Sequence, residues 1–90
     1  MEIVENQITG NMLLNVKDVI AGAFKYKSSN LERAQYIVER LRTIYNNTSY
    51  NFCCIVLNSD AVFGCYFAYY QSVYFKCNFK GKHIILWSGK

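Results

Sequence analysis

The chain has 90 residues and a formal net charge of +4, with 52% hydrophobic, 17% aromatic and 18% charged residues. That length makes a single domain over 1–90, whose core buries only about 60–65% of the surface the unfolded chain exposes and is usually reinforced by disulfides, metal or a second subunit. No apolar stretch approaches the roughly 20 residues of a membrane span, and the acidic start MEIVENQITG is no secretory signal, so a cytosolic protein is expected, with an oligomer covering the excess apolar surface.

Residues 3–8 (IVENQI) form a short run suited to an edge strand. From Met12 the apolar positions Met12, Leu13, Val16, Val19, Ile20, Ala23 and Phe24 recur with the period of one buried helix face. Lys17, Asp18 and Lys25 fall outside that stripe, Thr9 or Asn11 offers a cap, and Lys-Ser-Ser-Asn at 27–30 ends the helix. Ser29 followed by Glu32 fits a capping box for a second helix with the stripe Leu31, Ala34, Ile37, Val38, Leu41, Ile44 and Tyr45. Turn residues at 46–49 break this pattern, and the period then changes from 3.6 to 2. YNFCCIVL at 50–57, VFGCYFAYY at 62–70, the alternating run 73–80 and HIILW at 83–87 read as four strands, with turns at 58–60 and at Lys80-Gly81-Lys82. A strand, two helices and then a run of strands predict an α+β fold: an antiparallel sheet covered by a helix pair.

Catalysis needs convergent titratable groups, and the sequence offers few. His83 is the single histidine, the six acids are scattered, and no phosphate loop, H-E-x-x-H or G-x-S-x-G occurs, so no enzyme is expected. Cys53, Cys54, Cys65 and Cys77 show no C-x-x-C spacing and fall in apolar runs, which reads as buried thiols in a reducing compartment; no metal or other cofactor is expected. Asn46 and Asn47 fit the N-glycosylation pattern, which carries no weight without a secretory signal. Lys76, Lys80, Lys82 and Lys90 share the last fifteen residues with no acid. They are either a solvated strand face or, with sheet Tyr and Phe rings, a single-strand nucleic-acid surface.

Binding is then the default, and VFGCYFAYY supplies a mechanism. A free sheet edge is normally blunted by charge, proline or a bulge, and this run has neither charge nor proline. Gly64 lets another backbone approach. The run is either a central strand with a bulge at Gly64 or an edge that pairs with another chain.

Four local segments resemble the dynein light chains of the eight-kilodalton class. Phe63-Gly64-Cys65-Tyr66 is close to that family's Phe-Gly-Ser-Tyr, and Cys54-Ile55-Val56 matches its Cys-Ile-Val. Asn30-Leu31-Glu32-Arg33 is similar to its Asn-Ile-Glu-Lys, and Ile84-Ile85-Leu86-Trp87 to its last strand. The resemblance implies a strand-exchanged homodimer with two grooves, each taking a short linear peptide as an added antiparallel strand. Phe63, Gly64, Cys65, Tyr66, Phe67 and Ala68 would then pair with the peptide, Phe75, Cys77 and Phe79 would form the groove wall, and Glu32 and Arg33 would reach the peptide from the neighbouring subunit. Glu32 suits helix capping equally well. Cys53, Cys54 and Tyr66 would lie at the dimer interface. The implied role is a light chain of a dynein motor complex, partnered by the dynein intermediate chain and other linear-motif proteins, in the cytoplasm and cytoskeleton or in a cilium. Ala68 and Tyr69 replace the family's threonine and histidine, Cys53 replaces an interface histidine, and the turn near Asp60 is about three residues longer. The longer Tctex-type light chains match these segments less well.

Overall fold

A strand at one edge of a sheet, two helices across its face and a strand at the far edge account for the first sixty residues. The computed structural model describes residues 1–60 and 73–89. In chain order the elements are β1 (Glu2–Asn6), α1 (Gly10–Tyr26), α2 (Asn30–Ile44), β2 (Asn51–Asn58), β3 (Val73–Phe79) and β4 (Lys82–Gly89). The strands form one antiparallel sheet in the order β1-β3-β4-β2. This is the α+β architecture expected from the change of period. Residues 62–70, read as a further strand, lie outside the described residues, so the fourth strand of the described sheet is β1.

The helices start and stop where short polar side chains intercept the backbone. Asn6 Oδ1 accepts the Ile8 amide at 2.8 Å and turns the chain out of β1. Thr9 stands at the cap of α1 without a capping side-chain bond, and the helix begins at Gly10, whose φ of +62° suits glycine. Ser29 caps α2, its Oγ accepting the Glu32 amide at 3.1 Å. The second half of the expected capping box differs: Glu32 Oε1 accepts the Ser29 hydroxyl at 2.9 Å. The helices pack closely at Gly22, where a Cβ would stand 2.8 Å from the Tyr36 hydroxyl.

The core lies between the helix pair and one sheet face. Val16, Ile20 and Ala23 of α1 and Ile37 and Leu41 of α2 meet Val73, Phe75 and Cys77 of β3 and Ile84 and Leu86 of β4, all fully buried. Phe52 and Val56 of β2 close it at the edge. The α1 stripe is as the periodicity predicts. In α2 only the middle turns reach the core: Leu31 in the first turn is 69% exposed and Ile44 in the last is 40% exposed, so the apolar stripe overhangs the buried surface at both ends. Buried Ser88 is satisfied, its Oγ accepting the Asn51 amide at 2.9 Å.

The β3–β4 hairpin closes through Lys80 and Gly81, with φ values of +49° and +76°. Positive φ at both central residues is the requirement of a type I′ turn, whose twist matches that of the flanking strands. Lysine adopts it at a cost of roughly 1–2 kcal/mol, because its Cβ crowds the following carbonyl. Lys80→Asn should therefore raise stability by up to about 1 kcal/mol, and Gly81→Ala should lower it by about 1–2 kcal/mol although nothing blocks the added Cβ, both read from urea unfolding. Phe75→Ala should cost about 3–5 kcal/mol in the same measurement, since the whole ring is core.

Candidate functional site at the far face and open edge of the sheet

Alternation sends every second strand residue to the face turned away from the helices. The register places Cys53, Trp87 and Tyr74 in one row across β2, β4 and β3, and Ile55, Ile85 and Lys76 in the next. Ile85 is fully buried yet stands outside the helix-side core cluster, while Ile55 is 38% exposed and Cys53 exposed. Leu57, His83 and Asn78 make the last row, which ends in polar contacts. The Asn78 amide donates to Glu2 Oε1 at 2.7 Å, and its Oδ1 lies 2.5 Å from His83 Nδ1. His83 Nε2 lies 3.1 Å from the Ser59 carbonyl. One end of this face is thus a polar clasp joining β1, the hairpin and the turn after β2, and the rest is apolar and aromatic.

The two sheet edges differ in kind. β1 is fully exposed, carries Glu2 and Glu5, and its register with β3 shifts between Ile3 and Glu5. Charge and a bulge blunt an edge against further pairing. β2 pairs with β4 over eight unbroken positions, Asn51 to Asn58, and none of its residues is charged. Among the described residues its other side has no partner strand. A long, uncharged edge strand of this kind lacks the devices that blunt β1.

The residues expected to bind or dimerise fall into three groups. Phe63, Gly64, Cys65, Tyr66, Phe67 and Ala68 lie outside the described residues. Phe75 and Cys77 are fully buried beneath the helices, and Phe79 is half-buried with its ring 5.2 Å from that of Phe24, edge to face. These three therefore face the core, and β3 presents Tyr74, Lys76 and Asn78 on its other side. Glu32 caps α2, and Arg33 lies over Phe24 at 4.4 Å while its Nε donates to the Lys27 carbonyl at 3.3 Å. Cys53 and Cys54 point to opposite faces. Sequence reasoning missed Ile55, Leu57, Ile85 and Trp87 as a surface, because YNFCCIVL and HIILW are apolar at both alternations.

Little here suggests reactive chemistry. Burial pushes the Cys54 thiol up to about 12, with Cys77 and Cys53 adding repulsion, and burial raises Cys77 to about 11. Such thiols stay protonated and are poor nucleophiles. Among the described residues no three His, Cys, Asp or Glu side chains converge on a metal position. An open depression of about 600 Å³ between the end of α2 and the start of β2 is lined by Glu39, Arg42, Tyr45, Tyr50 and their neighbours, with no thiol or imidazole among them. No helix among the described residues is long and apolar enough to cross a membrane. The C-terminal lysines, read as either a solvated strand face or a nucleic-acid surface, are divided: Lys76 is on the far face, Lys80 in the turn, Lys82 opposite Phe79 on the helix side, and Lys90 outside the described residues.

No family model and no curated protein matches the chain. Solved structures do. The native structure of the dynein light chain-like domain of the Fasciola hepatica calcium binding protein FhCaBP2 aligns with a TM-score of 0.73 at 11% identity, covering 99% of this chain and 90% of that one. A mercury derivative of the same domain aligns with a TM-score of 0.74 at 12% identity, covering 99% and 91%. Identity this low speaks for architecture alone, and the architecture is that of the dynein light chain-like domains.

Proposed function

We propose that the chain is a non-catalytic homodimeric hub that holds short linear peptides by β-strand addition. The observation that carries this reading is the uncharged, unbulged edge of β2, continuous with the apolar far face through Cys53, Ile55 and Leu57. A second copy, related by a two-fold axis, covers this face with its own, and a strand from each copy completes the other's sheet at β2. The segment 63–68 is the natural candidate for that strand, being uncharged and containing Gly64. Its outer side then becomes the edge on which a peptide docks, by main-chain hydrogen bonds with alternate side chains for specificity. Two such grooves on one axis hold paired segments bivalently, so modest single-site affinity is multiplied by effective concentration.

The dynein light chain-like fold and the local matches to the eight-kilodalton class support a light chain of a dynein motor complex. The dynein intermediate chain is then the first partner to test, and the cytoplasm and cytoskeleton, including cilia, the place to look. Calcium binding is a property named for the Fasciola protein, and nothing in the described residues here favours it. The nucleic-acid reading has less support, since Phe75 and Phe79 face the helices and the lysines do not share a face.

Sedimentation equilibrium at micromolar protein should find a dimer; a strict monomer overturns the reading. Ile55→Glu, on a side chain already partly exposed in the single chain, should weaken dimerisation at least about a hundredfold while leaving the far-ultraviolet spectrum unchanged, because it buries a charge only in the dimer. Gly64→Val should weaken binding to peptides of an intermediate-chain array about tenfold or more and cost folding less than about 1 kcal/mol; equal losses in both would refute the edge role.

A further inference from the structure

The end of the molecule where α1 stops and α2 starts carries a second surface, built on the helices and the hairpin turn rather than on the β2 edge. Phe24 meets Phe79 at 5.2 Å, which joins the last turn of α1 to the end of β3. Asn58 Oδ1 accepts from Asn30 Nδ2 at 3.1 Å and from Lys82 Nζ at 2.5 Å, joining α2, β2 and β4. The Ser59 amide donates to the Gly81 carbonyl at 3.1 Å, which adds the hairpin turn. These contacts gather Lys25, Lys27, Arg33, Lys80 and Lys82 on the helix side of one end. Only Glu32 and Asp60 oppose them there, because Glu2 lies on the other face with its carboxylate held by Asn78.

The same end holds the two most exposed large apolar side chains among the described residues, Leu31 at 69% and Tyr26 at 64%. Exposed apolar groups set among fixed cations mark an interaction surface rather than a solvated face. Arg33 is positioned by Phe24 and the Lys27 carbonyl, while Lys80 lies 5.6 Å over Phe79 and Lys25 5.4 Å over Tyr26, so ring contacts bias the cations toward this end.

We infer that this end docks an acidic polypeptide segment carrying a large apolar side chain. The acids of the segment meet the lysines, and its apolar residue packs on Leu31 and Tyr26. Two features favour a peptide over other anions. Glu32 and Asp60 sit inside the patch; an extended segment can skip them, whereas an anionic bilayer presents charge continuously. Tyr26 is a single exposed ring and Leu31 cannot stack, so the patch lacks the run of rings on which successive bases of a single strand stack.

The test uses the full chain and a labelled peptide of Glu-Glu-Leu repeats, with a Gln-Gln-Leu peptide, phosphatidylserine vesicles and a single-stranded oligonucleotide alongside. The acidic peptide should bind, with an affinity that falls as salt rises. Lys25→Glu combined with Lys27→Glu should weaken it about tenfold or more, and Leu31→Ser about fivefold, all with the far-ultraviolet spectrum of the folded chain retained because the three side chains are exposed. Binding of the Gln-Gln-Leu peptide with equal affinity, indifference to these variants, no binding at low salt, or tighter capture by vesicles or oligonucleotide would each overturn the proposal. None of these readouts depends on the oligomeric state or on Gly64, so the surface stands or falls independently of strand addition.

Discussion

Everything in this structure follows from where β1 and β2 sit. They occupy opposite edges of the sheet although only two helices separate them in sequence. The chain must therefore cross the full width of the sheet, and it does so over one face. That crossing supplies the helix half of the core, from Ile8 to Leu41, against which the strands lay Phe52, Val56, Val73, Phe75, Cys77, Ile84 and Leu86. It leaves no described helix for the other face.

The asymmetry between edges is a second consequence. The edge that begins the chain carries its own protection in Glu2, Glu5 and the irregular register at Val4, whereas the edge that follows the helices has none. Natural sheets that avoid association protect both. The described sheet is thus guarded at one edge alone. The two neighbouring cysteines of β2 divide by face instead: Cys53 is exposed on the far face, while Cys54 is turned to the helix side with a strongly raised pKa.

Much of the fold was legible in the sequence because periodicity reports burial directly. Val16, Ile20, Ala23, Ile37 and Leu41 were identifiable from spacing alone, and Lys80-Gly81 from turn chemistry. The alternation of Val73, Phe75, Cys77 and Phe79 showed which side of β3 is covered. It did not show by what, and residues that a resemblance would place on a groove wall are beneath the helices. The far face was illegible for a different reason. Where a strand is apolar at every position, as in NFCCIVLN and HIILW, alternation carries no signal, and only the pairing of Ile55 with Ile85 and of Cys53 with Trp87 reveals the surface. The clustering of Lys25, Leu31 and Lys82 likewise depends on contacts such as Asn30 to Asn58, which no local pattern encodes.

The pairing of Glu2 with Asn78 has a bearing on how the molecule is made. On a ribosome the first strand leaves the exit tunnel long before its partner is synthesised, and it must wait, solvated, while the helices and β2 emerge. The hairpin of β3 and β4, by contrast, is local and closes as soon as it is released. β3, made after the helices and β2, is therefore the template on which β1 settles. β1 stays unattached while the helices and β2 are made, and the glutamates that blunt this strand in the folded protein keep it soluble during that interval.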